Sequence, residues 1–588
     1  LTAAPRHRST TTLALFVVYS LIILAPDILF LWERDAIWGS GFRTFAMLLM
    51  SVALYAFLCA LIGRLYIVAW LLLPLALLAP AEMYYMALYH QPSSARILAI
   101  IGDTNMQEAA DYLRGRSLLL GGVLGVNLLV CVALCVTFWR RRLAWGARES
   151  RWMVLAFCGL LVALLFALRD TTQKGVLNEV SFWKKSADAM PGGISLMLQQ
   201  TWLDSSYPFG VPIRVAQFLK FRDAQRLSEQ NLANFRFHAR QVISVPGKQV
   251  YVLVIGETGR RDRWQLNGYQ RPTNPRLAQE ANLVNFSDMI SVTSSTFSSV
   301  PFMVSQHRLD EDGINEKSVV SAFREAGFTT YWLSNQDPQG SVGSMFSTEA
   351  DHKAFYNPSD WRHQGPYDEV MLKPLQDILA KPEARQLIVL HTMGSHFDYA
   401  ARYPDAFDVF KPSAKPAGSR SDSDFNSATE LNNSYDNSIV YVDYFLDEVI
   451  KRLKATGAPA FMLYSADHGE DILGGDCPRF GHGLMDKYNL EIASVAWYSD
   501  SYGARFPGKV ASLRSHATQR LTEQSLTPTL IDAASITIDN LDLERSVVSD
   551  QLRYHPRYVI TSPVALDYDQ AKLAGYCQNV EPSGGAGN

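Results

Sequence analysis

Apolar residues are gathered at the front of the chain. Long stretches run at about 12–32, 44–63, 65–88, 118–138 and 152–168. Each is close to the roughly 20 residues with which a helix crosses a hydrocarbon core. Five such stretches within the first 170 residues do not fit the core of a soluble protein, the competing reading. Taken alone, the first has the look of a cleaved signal peptide, but the spans behind it point to a retained anchor. The pattern predicts a five-helix transmembrane domain over 1–170.

Arginines orient that domain. The loop between the fourth and fifth spans carries Arg140, Arg141, Arg142, Arg148 and Arg151; the N-terminal tail carries Arg6 and Arg8, and the second-to-third connection Arg64. In a five-span arrangement these segments share one side, and short basic loops stay cytoplasmic. The N-terminus is therefore expected in the cytoplasm and the chain beyond 168 on the outer side, the periplasm if the membrane is a bacterial inner membrane.

No further spanning stretch follows. Residues 171–239 read as a connector in which Trp183, Met190, Trp202 and Phe218 punctuate polar sequence. Such a segment either lies in the membrane interface or serves as a linker. From about 240 the apolar runs shorten to strand length, at 250–255, 329–333, 387–390, 460–464 and 492–498. Helical patterns at 317–326 and 437–456 stop at Gly327 and Gly457, where C-terminal caps belong. Buried strands alternating with helices predict an α/β domain over 240–580, a mostly parallel sheet sandwiched by helices. The tail, 581–588, reads as disordered.

Composition then takes on a meaning. The 48% hydrophobic and 19% charged content averages two unlike parts. A net charge of −3, from 54 basic and 57 acidic residues, argues against a nucleic-acid binder. No G-x-x-x-x-G-K-[ST] is present, which argues against a Walker-type nucleotide mechanism.

Candidate chemistry clusters after the predicted strands. The first runs into Gly256-Glu257-Thr258, the third into His391-Thr392-Met393-Gly394-Ser395-His396, and the fourth into Asp467-His468-Gly469-Glu470, with Gly481-His482-Gly483 beyond. Open α/β sheets bind ligands at the carboxyl ends of their strands. Singly, a Glu after a strand reads as a solvated loop residue and an Asp-His pair as a turn. Together these carboxylates and imidazoles make a metal and phosphate site, suited to Zn²⁺ with Mn²⁺ as competitor. The hydroxyl-rich segment 291–305 enters a predicted helix, whose positive end favours anions. A hydroxyl nucleophile needs a metal or base beside it. Thr293, Thr296, Ser298 and Ser299 all qualify, and a plain helix cap remains the alternative.

Several of these motifs recur in order in a known family. The chain resembles the bacterial phosphoethanolamine transferases, membrane-anchored members of the alkaline phosphatase/sulfatase superfamily. The likeness runs nearly end to end and is carried by Gly256-Glu257-Thr258, the stretch Gly268 to Pro275, His391 to His396, Ser434 to Tyr441, Asp467 to Glu470, and Gly481-His482-Gly483. The resemblance implies that Thr296, ahead of Val300-Pro301, is the nucleophile and that Glu257, Thr296, Asp467 and His468 hold zinc. It places His396 and His482 on the substrate phosphate or a second zinc, with His391 and Glu470 in support. A similar outer loop approaches the donor headgroup, which here would involve Asn105 and Glu108; a helix cap at Asp103 or Thr104 is the plainer reading.

The implied reaction takes phosphoethanolamine from phosphatidylethanolamine onto the threonine, then passes it to a hydroxyl of an envelope glycan or glycolipid: lipid A, lipopolysaccharide core or a periplasmic glucan. The implied partners are these substrates and membrane lipids, with the chain a monomer. Members that modify lipid A place cysteines around the nucleophile, where this chain has Val292 and Phe302, and are stapled by several disulfides. Here Cys477 and Cys577 alone lie in the catalytic domain, available for one disulfide; the other four cysteines lie in predicted spans. A basic family position matches Gln339. The rivals are a phosphoglycerol transferase using phosphatidylglycerol, a sulfatase (whose C/S-x-P-x-R setting is missing from 291–305), and a non-catalytic membrane sensor, which would need no nucleophile.

Overall fold

The computed structural model describes residues 10–32, 41–89, 92–93, 97–98, 101–102, 117–173, 206–219, 232, 234–243, 245–307, 316–337, 342–357, 365–415, 428–474, 477–561, 564–581 and 583. The chain divides into two compact units, one formed chiefly by residues 1–98 and 116–220 and the other chiefly by 221–584.

All five apolar stretches of the first unit are helical. They form α1 (Thr10–Trp32), α2 (Gly41–Ile62), α3 (Leu65–Leu71) with α4 (Leu73–Tyr89), α5 (Ser117–Arg140) and α6 (Arg148–Gln173). The third stretch is broken, with a bend of 52° between α3 and α4. Pro74 explains the break: its ring clashes with the carbonyl four residues back and it has no N–H to donate, yet it fits the first turn of the next helix. Among the described residues, two helices are long and apolar enough to cross a membrane, or three if the bent pair is one span. That is fewer than the five expected.

The helices pack through a cluster of aromatic and aliphatic side chains with a few alanines and cysteines, and through a few polar links. Tyr19 donates to the Ala69 carbonyl at 2.6 Å, and Asn127 to that of Ala76 at 3.0 Å. The arginine-bearing segments meet at one end. Arg151 donates to the carbonyls of Ala60 and Leu61 in the last turn of α2, where a cation satisfies orphaned acceptors. Tyr66 N–H reaches the Leu143 carbonyl and Arg141 reaches Thr12. Of the connector, residues 171–173, 206–219, 232 and 234–239 are described. Tyr207 N–H donates to Asp27 Oδ1 at 2.8 Å, and Arg214 pairs with Glu82 at 2.9 Å.

The second unit is built on a seven-stranded sheet. Its strands are β1 (Gln249–Gly256), β2 (Leu283–Asn285), β4 (Thr329–Ser334), β5 (His352–Phe355), β6 (Arg385–His391), β7 (Ala460–Ala466) and β10 (Ser494–Tyr498), in the order β2-β10-β7-β1-β6-β4-β5. The four pairings from β7 to β5 are parallel, whereas β10 runs antiparallel to both β7 and β2. The sheet is thus mixed, its parallel part being the part that faces the motifs. A two-stranded parallel ladder joins β3 (Met289–Ile290) to β11 (Leu521–Thr522), and a hairpin joins β8 (Asp471–Gly474) to β9 (Cys477–Gly481).

Alternation along β1 divides the core. Tyr251, Leu253 and Ile255 join one cluster with α7 (Thr296–Val304), α8 (Val319–Glu325) and α11 (Leu526–Ala533). Val250, Val252 and Val254 join the other, with α9 (Leu372–Leu379) and α10 (Ala428–Ala455). A strand buried on both faces has no polar side to show, which is why these runs read as continuously apolar. Helix α8 starts at the N-cap Ser318 and gives way to Gly327, whose φ of 83° suits a residue without a Cβ. Cys477 and Cys577 are joined by a disulfide.

Candidate active site

Sheet register assembles the site. Ile255 lies opposite His391 on one side and Ser465 on the other, so the residues that leave β1, β6 and β7 emerge side by side. Thr258 adopts a φ of 56°, a left-handed turn costly for a β-branched residue. The turn points its N–H at Asp467 Oδ1 (3.1 Å) and its hydroxyl at Glu257 Oε1 (2.6 Å). At Gly394 (φ 48°) a Cβ would lie 2.8 Å from the Glu257 carbonyl oxygen, so glycine is required for the loop after β6 to pass there. Asp368 holds that loop by accepting from the backbone of Met393 (2.8 Å) and Gly394 (2.9 Å).

Glu257, Asp467 and His468 converge beneath Thr296. Their ligand atoms lie within 4.8 Å of one another, and all three side chains are buried. Thr296 Oγ1 donates to Glu257 Oε2 at 3.0 Å and lies 3.3 Å from His468 Nε2. His468 Nε2 is 3.4 Å from Glu257 Oε1 and 3.6 Å from Asp467 Oδ2. A tetrahedral ion with bonds of about 2.0–2.2 Å separates its ligands by about 3.3–3.6 Å, the scale of these gaps.

Two further features fit a cation. His468 Nδ1 faces the Gly469 carbonyl at 2.7 Å, which makes Nδ1 the protonated nitrogen and turns the Nε2 lone pair inward. Asp467 Oδ1 accepts two backbone N–H groups, while Oδ2 is buried without a hydrogen-bond partner. Burial, and then the neighbouring Asp467 charge, hold the Glu257 carboxyl well above its ordinary range. Two buried carboxyl groups side by side must share either a proton or a cation between them. The donor set therefore fits zinc.

Of the four candidate hydroxyls, Thr296 alone contacts this cluster among the described residues. It is the first residue of α7 and half-buried. Ser299 donates to its own helix at the Ser295 carbonyl, Ser298 accepts from Ser295 Oγ, and Thr293 Oγ1 is buried without a partner.

A second group flanks the first. Glu470 accepts from Tyr399 OH at Oε2 (2.6 Å) and meets His482 Nδ1 at Oε1 (3.1 Å). The His482 ring lies 4.6 Å from that of His468 and 5.8 Å from that of His396. His396 directs Nδ1 to the Phe397 carbonyl at 2.6 Å. Burial, then the charges of Arg402 and His482, hold it well below the ordinary histidine value. His391 stands apart, edge-on to Trp332, with neither ring nitrogen hydrogen-bonded; burial pushes it down to about 4.

Sequence reasoning missed two neighbours. Gln336 donates to Glu257 Oε2 (3.2 Å) and to the Thr392 carbonyl (2.9 Å), tying two strand ends together. Its place two residues past a strand end was the only signal for it. Glu523 grips the segment ahead of Thr296, and no motif announced it. Asn105, Glu108 and Gln339 lie outside the described residues.

Known proteins share this plan. A family model for phosphoethanolamine transferase EptA/EptB matches residues 50–174, and a sulfatase model matches 249–536. The phosphoethanolamine transferase EptC of Escherichia coli O18:K1:H7 is 25% identical over 511 residues, 83% of this chain and 84% of that protein. The chain belongs to the phosphoethanolamine transferases of the alkaline phosphatase/sulfatase superfamily. Among family structures, the integral membrane lipooligosaccharide phosphoethanolamine transferase A of Neisseria meningitidis superposes with a TM-score of 0.69. It is 20% identical, with 91% of this chain and 98% of that one covered, which speaks for a common fold. The zinc complex of the C-terminal periplasmic domain of E. coli EptC gives a TM-score of 0.50 at 25% identity, over 58% of this chain and 98% of that one.

Proposed function

We propose that this protein transfers phosphoethanolamine from phosphatidylethanolamine to a hydroxyl of an envelope glycan or glycolipid, through a covalent intermediate on Thr296. The observation that carries the reading is the Thr296 hydroxyl, 3.0 Å from Glu257 and 3.3 Å from His468, above a carboxylate oxygen with no partner. Zinc held by Glu257, Asp467, His468 and Thr296 would supply Lewis acidity and lower the pKa of the Thr296 hydroxyl.

The chain's own groups supply the rest. Glu257 Oε2 accepts the hydrogen bond of the Thr296 hydroxyl and orients its oxygen; the N-terminus of α7 favours negative charge there. In the first half-reaction the Thr296 hydroxyl gives its proton to Glu257 Oε2, Oγ1 bonds to phosphorus, and the bond to the diacylglycerol oxygen breaks. His482, steadied at Nδ1 by Glu470, delivers a proton to that departing oxygen. In the second half it takes the proton of the incoming acceptor hydroxyl, which displaces Thr296, and Glu257 returns the proton to Oγ1. His396 and His482 bind the phosphate between the two halves.

The same reading places five spans in the inner membrane, the N-terminus and arginine-rich loops in the cytoplasm, and the domain 240–580 in the periplasm. The connector 171–239 joins them, Asn105 and Glu108 approach the donor ammonium, and the protein works as a monomer. The lipooligosaccharide named for the Neisseria protein makes a glycolipid the first acceptor to try.

Reconstitution tests the proposal. Protein in vesicles with headgroup-labelled phosphatidylethanolamine and an envelope glycolipid should move label to the glycolipid and release diacylglycerol. Transfer from labelled phosphatidylglycerol alone would make it a phosphoglycerol transferase, and no release from either lipid would make it a sensor.

A further inference from the structure

Glu523 is a buried carboxylate that the reaction above does not use. It follows β11, which pairs in parallel register with β3: Leu521 opposite Met289 and Thr522 opposite Ile290. One step further, Glu523 comes beside the segment that leads to Thr296. Its Oε2 accepts from Ser291 Oγ at 2.8 Å and its Oε1 from the Val292 N–H at 3.1 Å. The side chain is fully buried, and among the described residues no cation pairs with it. Such burial is costly unless the carboxylate's hydrogen bonds accomplish something that an apolar side chain could not.

What they hold is the approach to the nucleophile. Segment 291–295 ends at Ser295, the N-cap of α7, and the next residue is Thr296. Other backbone bonds anchor the same segment: Ser291 N–H to Leu490, Ile560 N–H to Val292 and Gly483 N–H to Ser294. The chain would therefore stay in place without Glu523. The carboxyl group adds two hydrogen bonds at successive residues, enough to set the rotation of the segment rather than its existence. A carboxylate accepts from both donors at once, whereas an amide accepts from one and turns an N–H toward the other.

We propose that Glu523 is a positioning residue for Thr296. It fixes the segment so that Oγ1 arrives between Glu257 and His468. This rests on the reading of Thr296 as the nucleophile.

The test uses full-length protein in phosphatidylethanolamine vesicles with acceptor, comparing Glu523→Ala, Glu523→Gln, Ser291→Ala and, in parallel, Thr296→Ala. Zinc content and thermal unfolding are measured on each. Displacing a nucleophile by about 1 Å costs on the order of 10²-fold. Glu523→Ala should therefore lose about 10²-fold in kcat, with KM for the donor within about threefold and zinc retained. Glu523→Gln and Ser291→Ala, each sparing one of the two bonds, should recover to within about tenfold of the parent. Three results would overturn the proposal. One is Glu523→Ala with parental kcat. The second is a loss of kcat in Glu523→Ala and Glu523→Gln alike, accompanied by zinc loss or unfolding. The third is a Ser291→Ala variant as inactive as Glu523→Ala. Full activity in Thr296→Ala would instead bring down the nucleophile assignment, and this inference with it.

Discussion

Two carboxylate–imidazole groups lie side by side in the catalytic unit, and they differ in what they leave unspent. In the group of Glu470, His482 and Tyr399, both Glu470 oxygens have protein partners. In the group of Glu257, Asp467 and His468, one Asp467 oxygen has none, and the His468 Nε2 lone pair faces two carboxylates. The first is a closed circuit that sets a ring's orientation and proton. The second is open, and closes only around a positive charge. The two groups are alike in residue type and differ in hydrogen bonding, the difference on which the proposed roles of metal holder and proton handler rest.

Substitutions can break that contrast in order of size. Asp467→Asn and His468→Ala should each cost roughly 10⁴-fold in transfer, because the metal is lost with the ligand; metal analysis should show zinc absent in both. His482→Ala should cost about 10²-fold, the usual scale for a general acid or base, with zinc content unchanged. Zinc loss in His482→Ala would erase the distinction between the groups. Gln336→Ala leaves every ligand in place but frees Glu257 Oε2 from its tether. It should weaken zinc affinity by about tenfold, read by competition with a chelator. Tyr399→Phe removes one bond to Glu470 and should lower kcat by about five- to tenfold without touching zinc.

Much of the fold was legible because its strands are simple. β1, β6 and β7 are buried on both faces and read as apolar runs of strand length, found within about two residues. The direction of β10 was not legible, since an apolar run does not tell which way it lies against its neighbour. Helix α10 was expected from 437 and begins at Ala428. Its first turns are buried yet polar: Asn433 donates to the Pro412 carbonyl and Asn437 to Asp408 and Phe410. A periodicity of apolar residues cannot register a face that packs by hydrogen bonding. The third apolar stretch concealed a break for a similar reason, because hydropathy does not see a proline's effect on the carbonyl behind it.

The site divides along the same line. Glu257, Asp467 and His468 were readable because each leaves a strand end directly, and strand ends converge. Thr296 came from the family likeness, as its segment offered four hydroxyls; the structure then brings one of them to the cluster. Glu523 and Gln336 reach the site through register and side-chain length; a place two residues past a strand end is all that the sequence offers for Gln336, and nothing in it marks Glu523.

The central claim is that Thr296 carries phosphoethanolamine during turnover. Intact-mass analysis of protein purified from phosphatidylethanolamine-containing membranes tests it most directly. The account predicts a phosphoethanolamine adduct that maps to Thr296, disappears on adding acceptor, and is missing from a Thr296→Ala variant that still binds zinc. An adduct that persists in Thr296→Ala, or its lasting absence from a zinc-loaded parent that turns over phosphatidylethanolamine, would contradict it.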